Sequence, residues 1–307
     1  GSQAVGMGKE MAANHPVARH TFAEADEALG YKLSELCFNG PEEKLKLTEI
    51  TQPAILTASV AAWRVLAEQG ARAEYAAGHS LGEYSAHVAA GTLAFADAVR
   101  TVRSRGQYMQ EAVPVGQGAM AAILGMGIDA LQEVCREAGQ GESVAPANIN
   151  SPNQIVISGS AAAVQRAADL AKAKGAKRAI MLQVSAPFHC ALMQPAQNRL
   201  AEDLRRLKFN DPKIPVIKNI DGQATTSGAE AREALIRQVT GAVQWVKSVE
   251  TMRDAGVGTY LEVGPGKVLC GLTGQIQKGV SCANVEDEAG LQKALALLAA
   301  VPGSASE

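Results

Sequence analysis

Aromatic residues are scarce: Phe, Trp and Tyr together make up 4% of the 307 residues. A core built without them must rely on aliphatic and small side chains, which argues against an all-β sandwich. Basic charge is not in surplus either. The formal net charge is −2, which argues against nucleic acid as the main partner, since duplex binding needs a strong basic face. No apolar run reaches the ~18 residues of a membrane span, and no charged-then-apolar leader opens the chain. The five cysteines, Cys37, Cys135, Cys190, Cys270 and Cys282, are odd in number and form no C-x-x-C pair. Neither a zinc site nor a disulfide framework is indicated. The expectation is buried free thiols in a soluble, cytoplasmic protein. What is abundant is apolar, Ala and Gly content: 47% of residues are hydrophobic and 30 are glycine. This suits helices packed closely on a parallel sheet, an α/β fold with one large domain and a smaller one.

Apolar periodicity places the elements. Pro53–Gln69 reads as a helix, with proline at its start and Gly70 past its end. Ala73–Ala77 reads as a short strand before a Gly-rich turn, followed by a small-residue helix to about Ala90. A helix from Phe95 to Val113 carries an apolar stripe at Phe95, Val99, Val102, Gly106, Met109 and Val113. The middle changes character: strand 119–126, helix 128–138, strands 143–148 and 154–158, helix 161–174 and strand 178–184. The order β-α-β-β-α-β is that of a small ferredoxin-like unit. It is placed at 116–184 and inserted into a large domain formed by 1–115 and 185–307. Alternation then resumes, with helix 192–207, strand 214–220, helices 229–239 and 243–255, strand 259–263 running into Gly264-Pro265-Gly266 and a further helix, and a final helix 289–300.

Gly78-His79-Ser80-Leu81-Gly82 is a G-x-S-x-G motif between a strand and a helix, the setting of a nucleophile elbow. Glycine on both sides is expected because a Cβ would clash in so sharp a turn. The turn exposes the Ser80 hydroxyl at a helix N-terminus, where the Leu81 N–H faces a developing oxyanion. A serine nucleophile needs a base. His15 and His20 lie in a polar segment, and His79 points away across the turn. His79, Glu83 and His87 fall at i, i+4 and i+8, but an elbow residue makes poor metal geometry, so no metal is expected. His189 lies in a loop between a strand and a helix, where catalytic bases are favoured. Residues alone leave it open whether His189 is a base or structural. Arg103 and Arg105 flank the apolar stripe about equally, and Arg100 points away. Gly266-Lys267 is not a phosphate loop, because positions 261 and 268 are Leu and Val.

The run from Gly78 to Tyr84 resembles the elbow of bacterial malonyl-CoA:acyl-carrier-protein transacylases. So do Arg105-Gly106-Gln107, Gly118-Ala119-Met120, Asn150-Ser151-Pro152, Pro187-Phe188-His189 and Glu262-Val263-Gly264-Pro265-Gly266-Lys267, in the family's order and over nearly the whole chain. The resemblance implies an α/β-hydrolase-like large domain with a parallel sheet and an inserted ferredoxin-like subdomain. It implies Ser80 as nucleophile, His189 as general base and acid, Arg105 as the clamp for a malonyl carboxylate, and Phe188 as a residue excluding an α-methyl branch. A backbone carbonyl near Gln238 would orient the histidine. The family's proline before the position of Val243 is missing here. The family also has a first strand ending in Gly-Gln-Gly-Ser-Gln, whose first glutamine serves the oxyanion hole; only Gly1-Ser2-Gln3 matches. The expectation is therefore a longer native chain or a slow, poorly stable transferase, with Gln3 the first alternative donor.

These implications describe a ping-pong transfer of malonyl from malonyl-CoA, through malonyl-Ser80, to the phosphopantetheine thiol of acyl carrier protein, with no cofactor and no metal. The rivals are a thioesterase or carboxylesterase on the same Ser and His, and an inactive carrier-protein-binding module. Lys172, Lys174, Lys177 and Arg178 form a basic cluster that would steer an acidic carrier protein or would simply be a solvated helix end.

Overall fold

A computed structural model describes residues 2–301; Gly1, the start of the Gly1-Ser2-Gln3 match, lies outside them. Four helices open the chain: α1 (Lys9–Asn14), α2 (Pro16–Leu29), α3 (Leu33–Asn39) and α4 (Glu42–Leu45). They pack around α5 (Thr48–Glu68) through Met11, Phe22, Leu33 and Leu45, all essentially buried. α5 is apolar on most of its circumference (Ala54, Leu56, Ala58, Val60, Ala61, Val65 and Leu66 are buried), as befits a helix at the centre of a core. It starts five residues earlier than expected, with Pro53 inside it rather than at its first turn. Tertiary packing from both sides outweighs the hydrogen bond that proline removes.

The next elements are α6 (Leu81–Ala89) and α7 (Phe95–Glu111). The stripe on α7 is buried as expected, Val113 included. Gly106 lets α7 approach α5 closely, since a Cβ there would lie 2.7 Å from both Glu49 Cα and Thr48 O.

The chain then enters a separate unit: β1 (Gly118–Leu124), α8 (Ile128–Gly139), β2 (Val144–Ser151), β3 (Gln154–Ser160), α9 (Ala161–Ala173) and β4 (Arg178–Met181). The sheet order is β2-β3-β1-β4, with every adjacent pair antiparallel. Ile123, Leu131, Val134, Ile155, Ile157 and Val164 form its own core against the two helices. It is tied to the rest of the chain at Asn148 and Val243, where Ile149 N–H donates to Val243 O and Val243 N–H to Ala147 O.

The return segment holds α10 (Gln194–Arg206), β5 (Val216–Ile217), β6 (Ala224–Thr225), α11 (Gly228–Gln238), α12 (Trp245–Asp254), β7 (Thr259–Val263), α13 (Val268–Ile276), β8 (Ser281–Val285) and α14 (Glu288–Ala299). Among the described residues, parallel pairing here comprises β7 with β8 and two single bridges, Val216 with Ala76 and Val243 with Asn148. The expected strands 73–77 and 214–220 are thus much shorter than their composition suggests. Pro215 has no N–H to donate, and from Lys218 the chain turns into a hairpin, with Lys218 N–H bonded to Gln223 O. β8 has no counterpart among the elements expected from periodicity.

Two of the five cysteines overturn the expectation of free thiols. Cys270 on α13 and Cys282 on β8 are disulfide-bonded, while Cys37, Cys135 and Cys190 are free and buried. No spacing signal marks the pair, because a parallel strand and the helix before it juxtapose residues 12 apart. Among the described residues no helix is long and apolar enough to cross a membrane.

Candidate active site

Ser80 sits between the Ala76 bridge and the first residue of α6 with φ 53° and ψ −106°, a region that non-glycine residues rarely occupy. Such strain persists only where surroundings enforce it. Gly78 makes the turn possible, since a Cβ on it would come within 2.0 Å of Gly82 C and O. Gly82 itself faces open space, with nothing within 4 Å of where a Cβ would stand; the expectation that both glycines are sterically required is corrected to Gly78 alone.

The elbow is clamped from the β5–β6 hairpin. Asn219 is fully buried; its Oδ1 accepts from Ser80 N–H at 2.6 Å and its Nδ2 donates to Gly78 O at 2.7 Å. Its own N–H donates to Glu83 Oε2 at 3.0 Å. Leu81 is the first residue of α6, so its N–H has no acceptor one turn back in the helix and faces the turn.

His189 is 4% exposed and also holds a positive φ, 57°. Its Nδ1–H donates to the backbone O of Gln238 at 2.8 Å, which leaves Nε2 as an acceptor 2.7 Å from Ser80 Oγ. Burial, then the neighbouring Arg105 charge, pushes the imidazole down to about 3, so it is neutral at ordinary pH, with Nε2 unprotonated and able to accept. The backbone carbonyl expected near Gln238 is therefore in place, on Gln238 itself, without the proline looked for before Val243.

The structure separates the arginines that periodicity leaves undecided. Arg105 is 2% exposed. It donates to Ser80 Oγ at 3.1 Å, to Gln52 Oε1 at 2.7 Å and to Gln238 Oε1 at 2.9 Å. Arg103 instead lies over the Tyr31 ring, and Arg100 pairs with Asp97 at the surface. Phe188 is partly buried against Met120, Ala122, Ala147 and Val156 of the small unit and against the large core. Gln3 is not brought to Ser80 by any described contact; its Oε1 is buried and has no hydrogen-bond partner among the described residues.

The other histidines are accounted for. His15 bonds Glu288 at 2.9 Å and His20 is exposed. His79 Nε2–H donates to Asn150 Oδ1 at 2.8 Å, and its ring leans on Trp245. His87 lies 3.8 Å from Glu83. The i, i+4, i+8 trio does not converge, and no group of three or more His, Cys, Asp or Glu suited to a metal ion occurs among the described residues.

The sequence pattern does not reveal Gln52, Asn219, Glu83 and the side chain of Gln238 as parts of the site. Gln52 precedes the proline that mimics a helix start, and Asn219 lies just ahead of the Asp221-Gly222 turn; both sit far from Ser80 in sequence. Glu83 stands out in the pattern only through its metal-like spacing to two histidines.

Against known proteins, the family model of the acyl transferase domain matches residues 1–294. The malonyl CoA-acyl carrier protein transacylase of Escherichia coli K12 is 52% identical over 298 residues, covering 97% of this chain and 96% of that protein. An acyl carrier protein S-malonyltransferase structure from Vibrio cholerae superposes with a TM-score of 0.94 at 51% identity, covering 95% and 96% of the two chains. A malonyl-transacylase solved in complex with a type II PKS acyl-carrier protein superposes equally well, TM-score 0.94 at 50% identity, covering 97% and 96%. With a strained serine, a neutral histidine and a buried arginine converging on one oxygen, and with these likenesses spanning nearly its whole length, the chain belongs to the acyl transferase family of malonyl-CoA:acyl-carrier-protein transacylases.

Proposed function

We propose that this protein transfers malonyl from malonyl-CoA to the phosphopantetheine thiol of acyl carrier protein through an acyl-serine. The observation that carries the reading is Arg105: a buried guanidinium 3.1 Å from the Ser80 hydroxyl with, among the described residues, no carboxylate bonded to it. A planar fork at that place fits an acyl group bearing a terminal carboxylate, for which a plain esterase has no use.

Ser80 Oγ attacks the thioester carbonyl as its proton passes to His189 Nε2. The Leu81 N–H stabilises the oxyanion, aided by the α6 dipole. The tetrahedral intermediate collapses, the C–S bond breaks, and the imidazolium returns the proton to the coenzyme A thiolate. In the second half the carrier thiol attacks malonyl-Ser80, His189 takes its proton, and Ser80 leaves with that proton restored. Phe188 narrows the space beside the base and disfavours an α-methyl branch. The path needs no cofactor.

The strand order β2-β3-β1-β4 with two helices on one sheet supports a ferredoxin-like subdomain over 116–184. The elbow, followed by α6, supports a hydrolase-like large domain over 1–115 and 185–307.

Intact mass spectrometry after mixing with malonyl-CoA tests the reading. The expected result is one malonyl adduct that Ser80→Ala abolishes and that holo carrier protein discharges as malonyl-carrier. An adduct persisting in Ser80→Ala, or release mainly as free malonate, would overturn it.

A further inference from the structure

Arg105 presents an electrostatic problem. Its guanidinium is buried, yet all three hydrogen-bond acceptors around it are neutral: Gln52 Oε1, Gln238 Oε1 and Ser80 Oγ. An uncompensated charge in the interior is costly. One carboxylate lies close by. Glu83 has no exposed surface, and its Oε2 accepts from Asn219 N–H at 3.0 Å and from Gln238 Nε2 at 2.8 Å. Among the described residues its Oε1 has no hydrogen-bond partner, and the facing His87 nitrogens have none either. The Gln238 amide therefore stands between the two charges, its oxygen toward Arg105 and its nitrogen toward Glu83. Burial lowers the proton affinity of Arg105, while Tyr84 and Glu83 act in the opposite sense.

We infer that Glu83 is the counter-charge of Arg105, relayed through the Gln238 amide, and that it sets how tightly the acyl-enzyme holds an acyl carboxylate. The inference rests on the reading of Arg105 given above. A direct Glu–Arg pair would occupy the fork that the acyl carboxylate needs. With an amide interposed, the cation is compensated while the site is empty and the fork stays open. When malonyl arrives, its carboxylate and Glu83 share one cation, so the acyl group is held less tightly and leaves more readily for the carrier thiol. Glu83 is thus a positioning and tuning residue that acts through Gln238 and does not touch the reacting atoms.

Glu83→Gln isolates the charge, because the new amide oxygen can accept the same two N–H groups. The half-reaction equilibrium between free and acyl enzyme is read by intact mass across mixtures of acyl-CoA and coenzyme A. Malonyl occupancy is expected to shift toward the adduct by about tenfold, the scale of a charge interaction inside a protein; acetyl occupancy is expected to stay put. An unchanged malonyl equilibrium, or equal shifts for both donors, would overturn the inference. Melting temperatures of the ligand-free wild type, Glu83→Gln, Arg105→Gln and the double variant form an independent cycle. Each single change should lower the melting temperature, and the double variant should be more stable than Glu83→Gln alone. Additive losses, or a double variant that fails to fold as Glu83→Gln fails, would overturn it. If the melts show coupling while Arg105→Gln leaves malonyl preference intact, the role assigned to Arg105 in malonyl binding fails and the charge pairing stands.

Discussion

His189 and Arg105 meet at Ser80 Oγ, and among the described residues neither is held there by a directly bonded carboxylate. His189 is oriented by a backbone carbonyl and kept neutral by burial and by Arg105. A histidine pushed down to about 3 accepts protons less readily when folded than when unfolded. It therefore remains an available base well below pH 6.5, and the acid limb of kcat/KM should lie far below the ordinary histidine range. Arg105→Ala removes one of the causes that lower it. Measured with acetyl-CoA, which has no carboxylate of its own, the acid limb of Arg105→Ala should move upward relative to wild type; an unmoved limb would mean that burial alone sets the histidine. The same variant should lose malonyl transfer by on the order of 10² or more, with a much smaller loss for acetyl, in a comparison of kcat/KM for the two donors.

The elements that matter most are α5 and α7, which carry Gln52 and Arg105 respectively. Their separation is set at Gly106, where a Cβ would fall 2.7 Å from the α5 backbone. Backbone cannot yield as a flexible side chain does, so Gly106→Ala must push the helices apart. A cost of about 1–3 kcal/mol is expected from overpacking, seen as a lower midpoint in denaturant. Because the shift would move Arg105 against Gln52 and Ser80, the malonyl-to-acetyl preference should fall along with stability. A destabilised variant with full malonyl preference would show that the site tolerates movement of α7.

At the scale of the molecule, the small unit and the disulfide carry separate consequences. Lys172, Lys174, Lys177 and Arg178 are all exposed at the end of α9 and the start of β4, although Lys174 also pairs with Glu137. If they steer an acidic carrier protein, Lys174→Glu with Lys177→Glu should raise KM for the carrier and leave KM for malonyl-CoA as it was. Equal KM values in both enzymes would identify a plain solvated helix end. The Cys270–Cys282 bond closes a segment 12 residues apart in sequence, for which chain entropy gives about 3 kcal/mol. Reductant should lower the melting temperature of the wild type by several degrees and leave that of a Cys270→Ser, Cys282→Ser variant unchanged.

Local pattern is enough to read the elbow, the buried stripe of α7 and the β-α-β-β-α-β order, because each depends on residues a few positions apart and on periods of two or 3.6. It also singles out Ser80 and leaves His189 open between base and structural residue; His189, Arg105 and Gln238 receive their roles only through resemblance. The choice of Arg105 over Arg103 is closed to periodicity, since both flank the same stripe; it is decided by which flank faces Gln52 on α5 and Gln238 on α11. Pro53 misleads as a helix start because packing around α5 overrides that local signal. Strands 73–77 and 214–220 are cut short because Pro215 and the Lys218–Gln223 turn interrupt pairing that their composition favours. The clamp by Asn219, the amide between Arg105 and Glu83, and the Cys270–Cys282 bond leave no trace in spacing. Each joins segments that only the folded chain brings within hydrogen-bonding or bonding distance, and that proximity is a property of the tertiary structure alone.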